Sequence, residues 1–377
     1  MAESTRLVDL VQAGLDGFLD DREPVLTSVS PDLAPFIDYS RDLLRGGKRF
    51  RALFCYWGWQ AVSGVRTEDR PVIDPLAEPS ASDDLNAVVL AASALEIFHA
   101  AALVHDDIMD NSDTRRGMPA AHRRFEGLHA DSRWSGSARG FGQSAALLLG
   151  DLLLGWSDEL FDTGIQLLAS PDVRDAARAE FNTMRTQVTV GQYLDILEER
   201  AWNSFPEGDQ LSRAHRVIVY KSAKYSIEAP LAIGALLGGA TPSQVAALRD
   251  FGLPLGIAFQ LRDDLLGVFG DPETTGKPAG DDLREGKRTV LIALARTSLP
   301  ANASRLLDEL LGDPELSDQQ VRMLQASIRD CGAVDEVERI IDHNVRVALA
   351  AIEDAPISAA AKRQLQQLAD TVAQRVA

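Results

Sequence analysis

A chain of 377 residues with a formal net charge of −18 repels polyanions, which argues against nucleic acid and against a basic membrane-docking face. With 45% hydrophobic and 25% charged residues it is globular and long enough for one large core or two domains. Two cysteines, Cys55 and Cys331, give neither a disulfide framework nor metal spacing and read as buried thiols in a reducing cytoplasm.

No run is expected to reach the roughly 18 apolar residues of a membrane-spanning helix, since the richest candidate, Ala145 to Trp156, is broken by Asp151. The opening MAESTRLVDLVQ lacks the basic region and apolar core of a signal peptide. Residues 1–45 alternate apolar and charged at helical spacing, with Pro31 and Pro35 marking a turn before a helix from about Phe36. Gly46-Gly47-Lys48-Arg49-Phe50-Arg51 follows. A nucleotide P-loop is excluded because GxxxxGK[ST] is absent. Lys48 and Arg51, three apart on the next helix, can both reach one anion. Residues 64–84, rich in Pro, Asp, Glu and Ser, read as an exposed loop.

The stretch from His99 to Gly117, HAAALVHDDIMDNSDTRRG, organises the chain. An apolar run from Val88 to Val104 leads into the acids without Gly or Pro, so they belong to a helix. Asp106 and Asp110 then share one face, one turn apart, with Asp107 beside them. Carboxylates this close need a cation, and hard oxygen ligands favour Mg²⁺, which fills its shell with water and substrate phosphate. Arg115 and Arg116 add planar, permanently charged forks suited to phosphate oxygens. An EF-hand starting at Asp110 is rejected because Arg115 stands where glycine is needed. Together these residues describe a diphosphate site.

Residues 118–143 show no clear period and read as a long loop near that site. Gly150-Asp151 sits in an apolar run, where a lone buried Asp needs a partner. Gly191-Gln192-Tyr193-Leu194-Asp195 closes another periodic helix, residues 201–212 form a polar connector, and helix resumes at Ala214 with Lys221-Ser222-Ala223-Lys224-Tyr225. The segment from Gly256 to Leu291 repeats the earlier design. Asp263 and Asp264 close a second apolar helix, Gln260 lies one turn before them, and Lys277 and Lys287 occupy the Gly/Pro-rich loop beyond. Residues 303–377 are amphipathic packing helices. The expected fold is therefore all-α: one domain over 1–377, a helical bundle around a central apolar cavity, with the two acidic helix ends facing one another across it.

The set GGKRFR, DDIMD…TRRG, GQYLD, KSAKY and FQLRDDLLGVFGDP…TGKPAGDDLREGK resembles the trans-isoprenyl diphosphate synthases, or polyprenyl synthetases, over about residues 40–295, with every element in the family's order. The resemblance implies the isoprenoid synthase fold and a head-to-tail prenyltransferase. An allylic diphosphate ionises, isopentenyl diphosphate attacks the cation, and a proton is lost. It implies Mg²⁺, about three ions per site, and a homodimer with each active site within one subunit. Asp106 and Asp110 match metal ligands, with Asp107 supporting; Asp263 matches the ligand of a third metal, with Asp264 its companion. Arg115, Lys221, Gln260 and Lys277 match positions that hold the allylic diphosphate, and Ser222 replaces the usual Thr while keeping the hydroxyl. Lys48, Arg51, His99 and Arg116 match the isopentenyl diphosphate site. Gly267 replaces the third Asp of the second acidic motif, and Ala52 stands where Pro is common.

Ala101 and Ala102, small where short-product members carry aromatics, imply a cavity that admits more than fifteen carbons. Phe98, one turn (about 5.4 Å) beyond Ala102, is the candidate floor and favours a C20 product, as in geranylgeranyl diphosphate synthases. The alternatives are a farnesyl or longer-chain (C25 or more) synthase, a terpene cyclase and a non-catalytic synthase subunit. The expected partners are isopentenyl and allylic prenyl diphosphates, with no nucleic acid and no stable membrane insertion.

Overall fold

The computed structural model describes residues 2–67, 83–271 and 280–373. They are helical almost throughout. The only strands among them are the antiparallel pair Thr114–Arg115 and Met118–Pro119. The helices group into two compact units, Met1–Arg178 with Ile233–Ala240, and Ala179–Ala232 with Thr241–Ala377.

In the first unit, α1 (Ala2–Val29) is followed by a short turn whose Ser30 hydroxyl accepts from the Asp32 amide. Next come α2 (Ala34–Leu43), α3 (Phe50–Thr67) and α4 (Asp83–Met109). The expected loop is thus helical at both margins, while 68–82 lie outside the described residues. Next are α5 (Ala121–Asp131) and α6 (Ala138–Gln166), the latter capped by Ser137. The long loop expected over 118–143 is therefore corrected to a hairpin strand, one helix and the start of another. Periodicity missed α5 because its buried stripe is His122, Phe125 and His129, not aliphatic residues.

Helix α4 is the axis of this unit, packed along α6 and against α1, α3 and α5. An 18-residue window within α4 has a mean hydropathy of 2.0, enough by length and composition for a membrane span, against the expectation of none. That window is 78% buried inside the protein, so its apolar character is that of a core helix. The Ser157 hydroxyl of α6 donates to the Ala94 carbonyl at 2.7 Å. Immediately before the acids, His105 reaches the Leu147 carbonyl at 3.3 Å and Asp151 at 3.4 Å. The expectation of a buried Asp151 is corrected: its side chain is 59% exposed, and the buried residue is Gly150, where any Cβ would strike the His105 ring at 2.3 Å.

Helix α7 (Pro171–Ala201) contributes to both units. In the second unit, α8 (Gln210–Val217) runs into a wider π-helical segment, Ile218–Glu228, that carries the Lys221 motif. It continues as α9 (Ala229–Leu237), most of whose C-terminal half belongs to the first unit. Helix α10 (Pro242–Phe269) begins at a reciprocal capping box between Thr241 and Gln244. The second unit ends with α11 (Asp281–Glu285), α12 (Val290–Ser298), α13 (Ala301–Leu310), α14 (Asp318–Asp330), α15 (Ala333–Glu353) and α16 (Ala359–Ala373). Helix α10 packs on the π-helical segment, α11, α15 and α16. The Arg262 guanidinium forks onto Glu338 of α15 at 2.5 and 2.7 Å, fixing the helix at the residue before Asp263.

Candidate active site

In the first unit the chain after α4 turns back at once. Asn111 takes a left-handed backbone (φ 54), and the two-residue hairpin turn is Arg116-Gly117, with φ of 53 and 73. Positive φ at both central residues is the geometry that matches a tight hairpin to strand twist. The hairpin returns Arg115 to the end of α4. Its Nε donates to Asp107 Oδ1 at 2.9 Å, Nη2 reaches the same oxygen, and Nη2 lies 3.5 Å from Asp106 Oδ2. Asp107 is 1% exposed, whereas the Asp106 side chain is 22% exposed. Asp106 and Asp110 remain half-buried at the surface of the helix end.

Arg116 donates to the Leu43 carbonyl at 3.2 Å, and its guanidinium lies against Gly47, whose absent Cβ would be 3.5 Å away. With φ of 84, Gly47 lets the GGKRFR turn close on this group. Within that run Arg49 has a different task. It is buried, donates to Glu96 at 3.1 Å and to Gln12 at 2.7 Å, and also bonds the Leu44 carbonyl. Glu96 in turn accepts from the Ala52 amide at 3.3 Å. Arg49 is thus spent on the fold. Burial, followed by the charges of Arg51, Arg116, Arg115 and Arg49, holds the His99 pKa well below the ordinary imidazole value. His99 is therefore a neutral hydrogen-bonding group among arginines, which suits an anion without adding a proton to it. The structure thereby brings together Arg51, His99, Arg115 and Arg116.

On the cavity-lining question, α4 shows two stripes. His99, Ala102, Leu103, Asp106 and Asp110 are half-buried, while Phe98 and Ala101 are buried. Phe98 and Ala101 share their face with Ala94 and His105, the residues bonded to α6.

In the second unit Asp263 is half-buried and Asp264 is 5% exposed. The Gln260 amide donates to Asp264 Oδ1 at 2.8 Å, so Gln260 here braces a carboxylate. Asp264 Oδ2 is buried without a hydrogen-bond partner. Burial raises the Asp264 pKa well above the usual carboxylate value, the Gln260 hydrogen bond opposes this, and Asp282, Asp263 and Asp195 push it further up. Asp282, which the sequence reading did not single out, comes from α11. A Cβ placed on Gly267 would meet its carboxylate at 2.1 to 2.6 Å. The space beside the vacant third-Asp position is thus filled by another carboxylate. Lys221 donates to Asp195 at 2.5 Å, and Ser222 is half-buried next to it. Lys277 lies outside the described residues.

Among the described residues no three carboxylate, thiolate or imidazole groups converge into a ready-made cage. The donor set still fits Mg²⁺. That ion takes one or two carboxylates and completes its octahedron with water and phosphate. In the first unit the end of α4 offers the half-buried carboxylates of Asp106 and Asp110, and in the second unit Asp263 stands half-buried beside the braced Asp264.

Residues 35–328 match the sequence model of the family described as polyprenyl synthetase. The chain is 31% identical over 332 residues to a geranylfarnesyl diphosphate synthase of Aeropyrum pernix, covering 88% of this chain and 91% of that one. It is 30% identical over 340 residues to a geranylgeranyl diphosphate synthase of Mycobacterium tuberculosis, covering 89% and 83%. Among solved structures, the geranylgeranyl pyrophosphate synthase of Corynebacterium glutamicum, complexed with isoprenyl diphosphate and magnesium, superposes with a TM-score of 0.88. It is 36% identical, covering 98% of this chain and 99% of that one. A polyprenyl synthase of Caulobacter crescentus, complexed with calcium and isoprenyl diphosphate, gives a TM-score of 0.72 at 27% identity, covering 99% and 98%.

Proposed function

This chain belongs to the polyprenyl synthetase family and is a trans-prenyltransferase, and from that premise we propose that it is a Mg²⁺-dependent head-to-tail synthase whose product is geranylgeranyl diphosphate (C20). In this reaction the allylic C–O bond breaks, diphosphate leaves with the electron pair, and the double bond of isopentenyl diphosphate attacks the resulting cation. The adjacent C–H then gives its electrons to a new double bond, and its proton passes to the departed diphosphate.

The observation that carries this reading is the pairing, in one compact unit, of an acidic helix end with a cluster of arginines around a neutral imidazole. Such a pairing supports a reading in which a metal-bound leaving group and a second diphosphate would lie near one another. Asp106 and Asp110, and Asp263 in the second unit, are the proposed Mg²⁺ ligands. When bound, the metal neutralises charge that develops on the leaving oxygens. Arg115, Lys221, Ser222 and Gln260 are assigned to the allylic diphosphate, and Lys48, Arg51, His99 and Arg116 to isopentenyl diphosphate. Because the diphosphate accepts the proton, no side chain is assigned as general base. A homodimer is proposed on the same footing.

The C20 assignment is supported by the small Ala102 on the half-buried stripe that runs from His99 to Asp106; Phe98, a turn further along but on the buried face toward α6, is the proposed floor. The test is product analysis. The purified chain is incubated with Mg²⁺, isopentenyl diphosphate and, separately, C5, C10 and C15 allylic diphosphates, and the dephosphorylated alcohols are sized. A C20 alcohol supports the whole reading, and longer alcohols keep the synthase but remove the Phe98 floor. No isopentenyl incorporation overturns the synthase.

A further inference from the structure

The turn from Gly46 to Arg51 is held from within by Arg49. This residue is buried and takes a left-handed backbone with φ of 50, a conformation that is costly for a residue with a side chain and persists only where its surroundings impose it. Its guanidinium supplies the restraint. Nη1 donates to Glu96 Oε2 at 3.1 Å, while Nη2 donates to Gln12 Oε1 at 2.7 Å and to the Leu44 carbonyl. Leu44 closes α2, so the cation sits at the end of a helix whose last carbonyls lack intrahelical partners. Glu96, buried on α4, spends its other oxygen on the backbone, where Oε1 accepts from the Ala52 amide at 3.3 Å. That amide lies in the first turn of α3, which begins at Phe50 and whose leading amides have no intrahelical acceptor. One carboxylate thus grips the residue before α3 and caps α3 itself.

Lys48 immediately precedes Arg49, and Arg51 follows it in the first turn of α3. On α4, His99 stands one turn along from Glu96. Arg116 donates to the Leu43 carbonyl, the neighbour of the carbonyl that Arg49 takes. The buried pair is therefore the joint that sets the GGKRFR turn against the part of α4 that carries His99. Its carboxylate also supplies negative charge to a run whose cations repel one another while no anion is bound. We propose that Arg49 and Glu96 are positioning residues for isopentenyl diphosphate: their ion pair holds the turn that carries Lys48 and Arg51 in register with His99, so that one diphosphate can meet all three. This rests on the assignment of those three residues to isopentenyl diphosphate given above.

The test is a double-mutant cycle in the full chain, read as separate KM values for isopentenyl diphosphate and for geranyl diphosphate with Mg²⁺ present. Glu96→Gln is expected to raise the isopentenyl diphosphate KM about tenfold, the scale of a lost charge-assisted contact, and to leave the geranyl diphosphate KM unmoved. Arg49→Met is expected to do the same. Arg49→Lys is expected to recover part of the loss, because an ammonium can still meet Glu96 but cannot fork onto Gln12 and Leu44. Because the pair acts as one unit, the Arg49→Met/Glu96→Gln double variant is expected to show an isopentenyl diphosphate KM no higher than the worse single variant. Additive losses, an equal rise in both KM values, or an unchanged isopentenyl diphosphate KM in Glu96→Gln would each overturn the proposal.

Should a single variant fail to fold because it leaves one charge buried alone, the comparison is made in Arg49→Met/Glu96→Leu, which replaces both charges by apolar groups. There the isopentenyl diphosphate KM is expected to stay raised, and a parental value overturns the proposal. Arg51→Gln, run in parallel, tells failure of this proposal apart from failure of the reading beneath it. A raised isopentenyl diphosphate KM in Arg51→Gln beside parental values in the Arg49 and Glu96 variants overturns this proposal alone. A parental value in Arg51→Gln overturns the assignment on which it rests.

Discussion

Restoring the third aspartate of the second acidic motif, Gly267→Asp, is the change that motif comparison invites and that the geometry opposes. A Cβ at 267 would lie 2.1 Å from Asp282 Oδ2 and 2.3 Å from its Cγ, well inside van der Waals contact. The Asp282 side chain would have to leave its rotamer or α11 would have to move, a cost of about 1–3 kcal/mol for overpacking. Replacing a helical glycine returns at most about 1 kcal/mol of propensity. The added charge then stands within about 5 Å of a carboxylate it has displaced, which at an effective dielectric of 20 adds repulsion on the order of 3 kcal/mol before any metal binds. Gly267→Asp should therefore unfold at lower temperature in the absence of Mg²⁺ and lose prenyl transfer, while Gly267→Ala should lose part of its activity from the displaced Asp282 alone. Differential scanning calorimetry with and without Mg²⁺, paired with steady-state rates, measures both effects. A Gly267→Asp variant that is as stable as the parent and works at lower Mg²⁺ would refute the reasoning.

Burial pushes the Cys55 thiol up to about 12, so it stays protonated at every pH at which the protein is studied; thiol titration of the native chain should register no more than Cys331, and both thiols only after denaturation. Ala102→Phe puts an aromatic ring on the half-buried stripe one turn above Asp106. Product sizing should show a shift toward C15, and an unchanged C20 product would place the growing chain along another face.

The long apolar helices and their acidic ends were legible because burial writes an uninterrupted hydrophobic run, and a carboxylate pair at the end of such a run has few other uses. The hairpin between Arg115 and Met118 carried only a local signal, one Gly after two arginines, and its meaning depends on where it returns Arg115. Asp151 was misread because an apolar helix does not announce which of its faces is open. Its neighbours Leu147 and Leu148 are exposed too. Helix α5 was missed because aromatic and histidine side chains fill its core positions. Nothing in KSAKY signals a π-helical turn, since the glycines that press on it, Gly191 and Gly256, lie some 30 residues away on either side. Likewise Asp282 gains its place beside Gly267 only through a contact between α10 and α11.

The two Asp-Asp pairs share a division of labour that the motif spelling conceals. In each, the second carboxylate is buried and held by a side chain: Asp107 by Arg115 and Asp264 by Gln260. The first, Asp106 or Asp263, is left half-buried at the helix end. A carboxylate that is already fixed by hydrogen bonds loses little further freedom when its neighbour binds a cation. An adjacent pair on a helix points about 100° apart, so one member can face the core while the other stays at the helix surface. On the proposed assignment of the metal, the doubled aspartate is one ligand and one brace. The third acid of the first motif, one turn on at Asp110, is a second half-buried carboxylate, whereas the second motif has no carboxylate of its own at Gly267 and presents the one from Asp282 beside it.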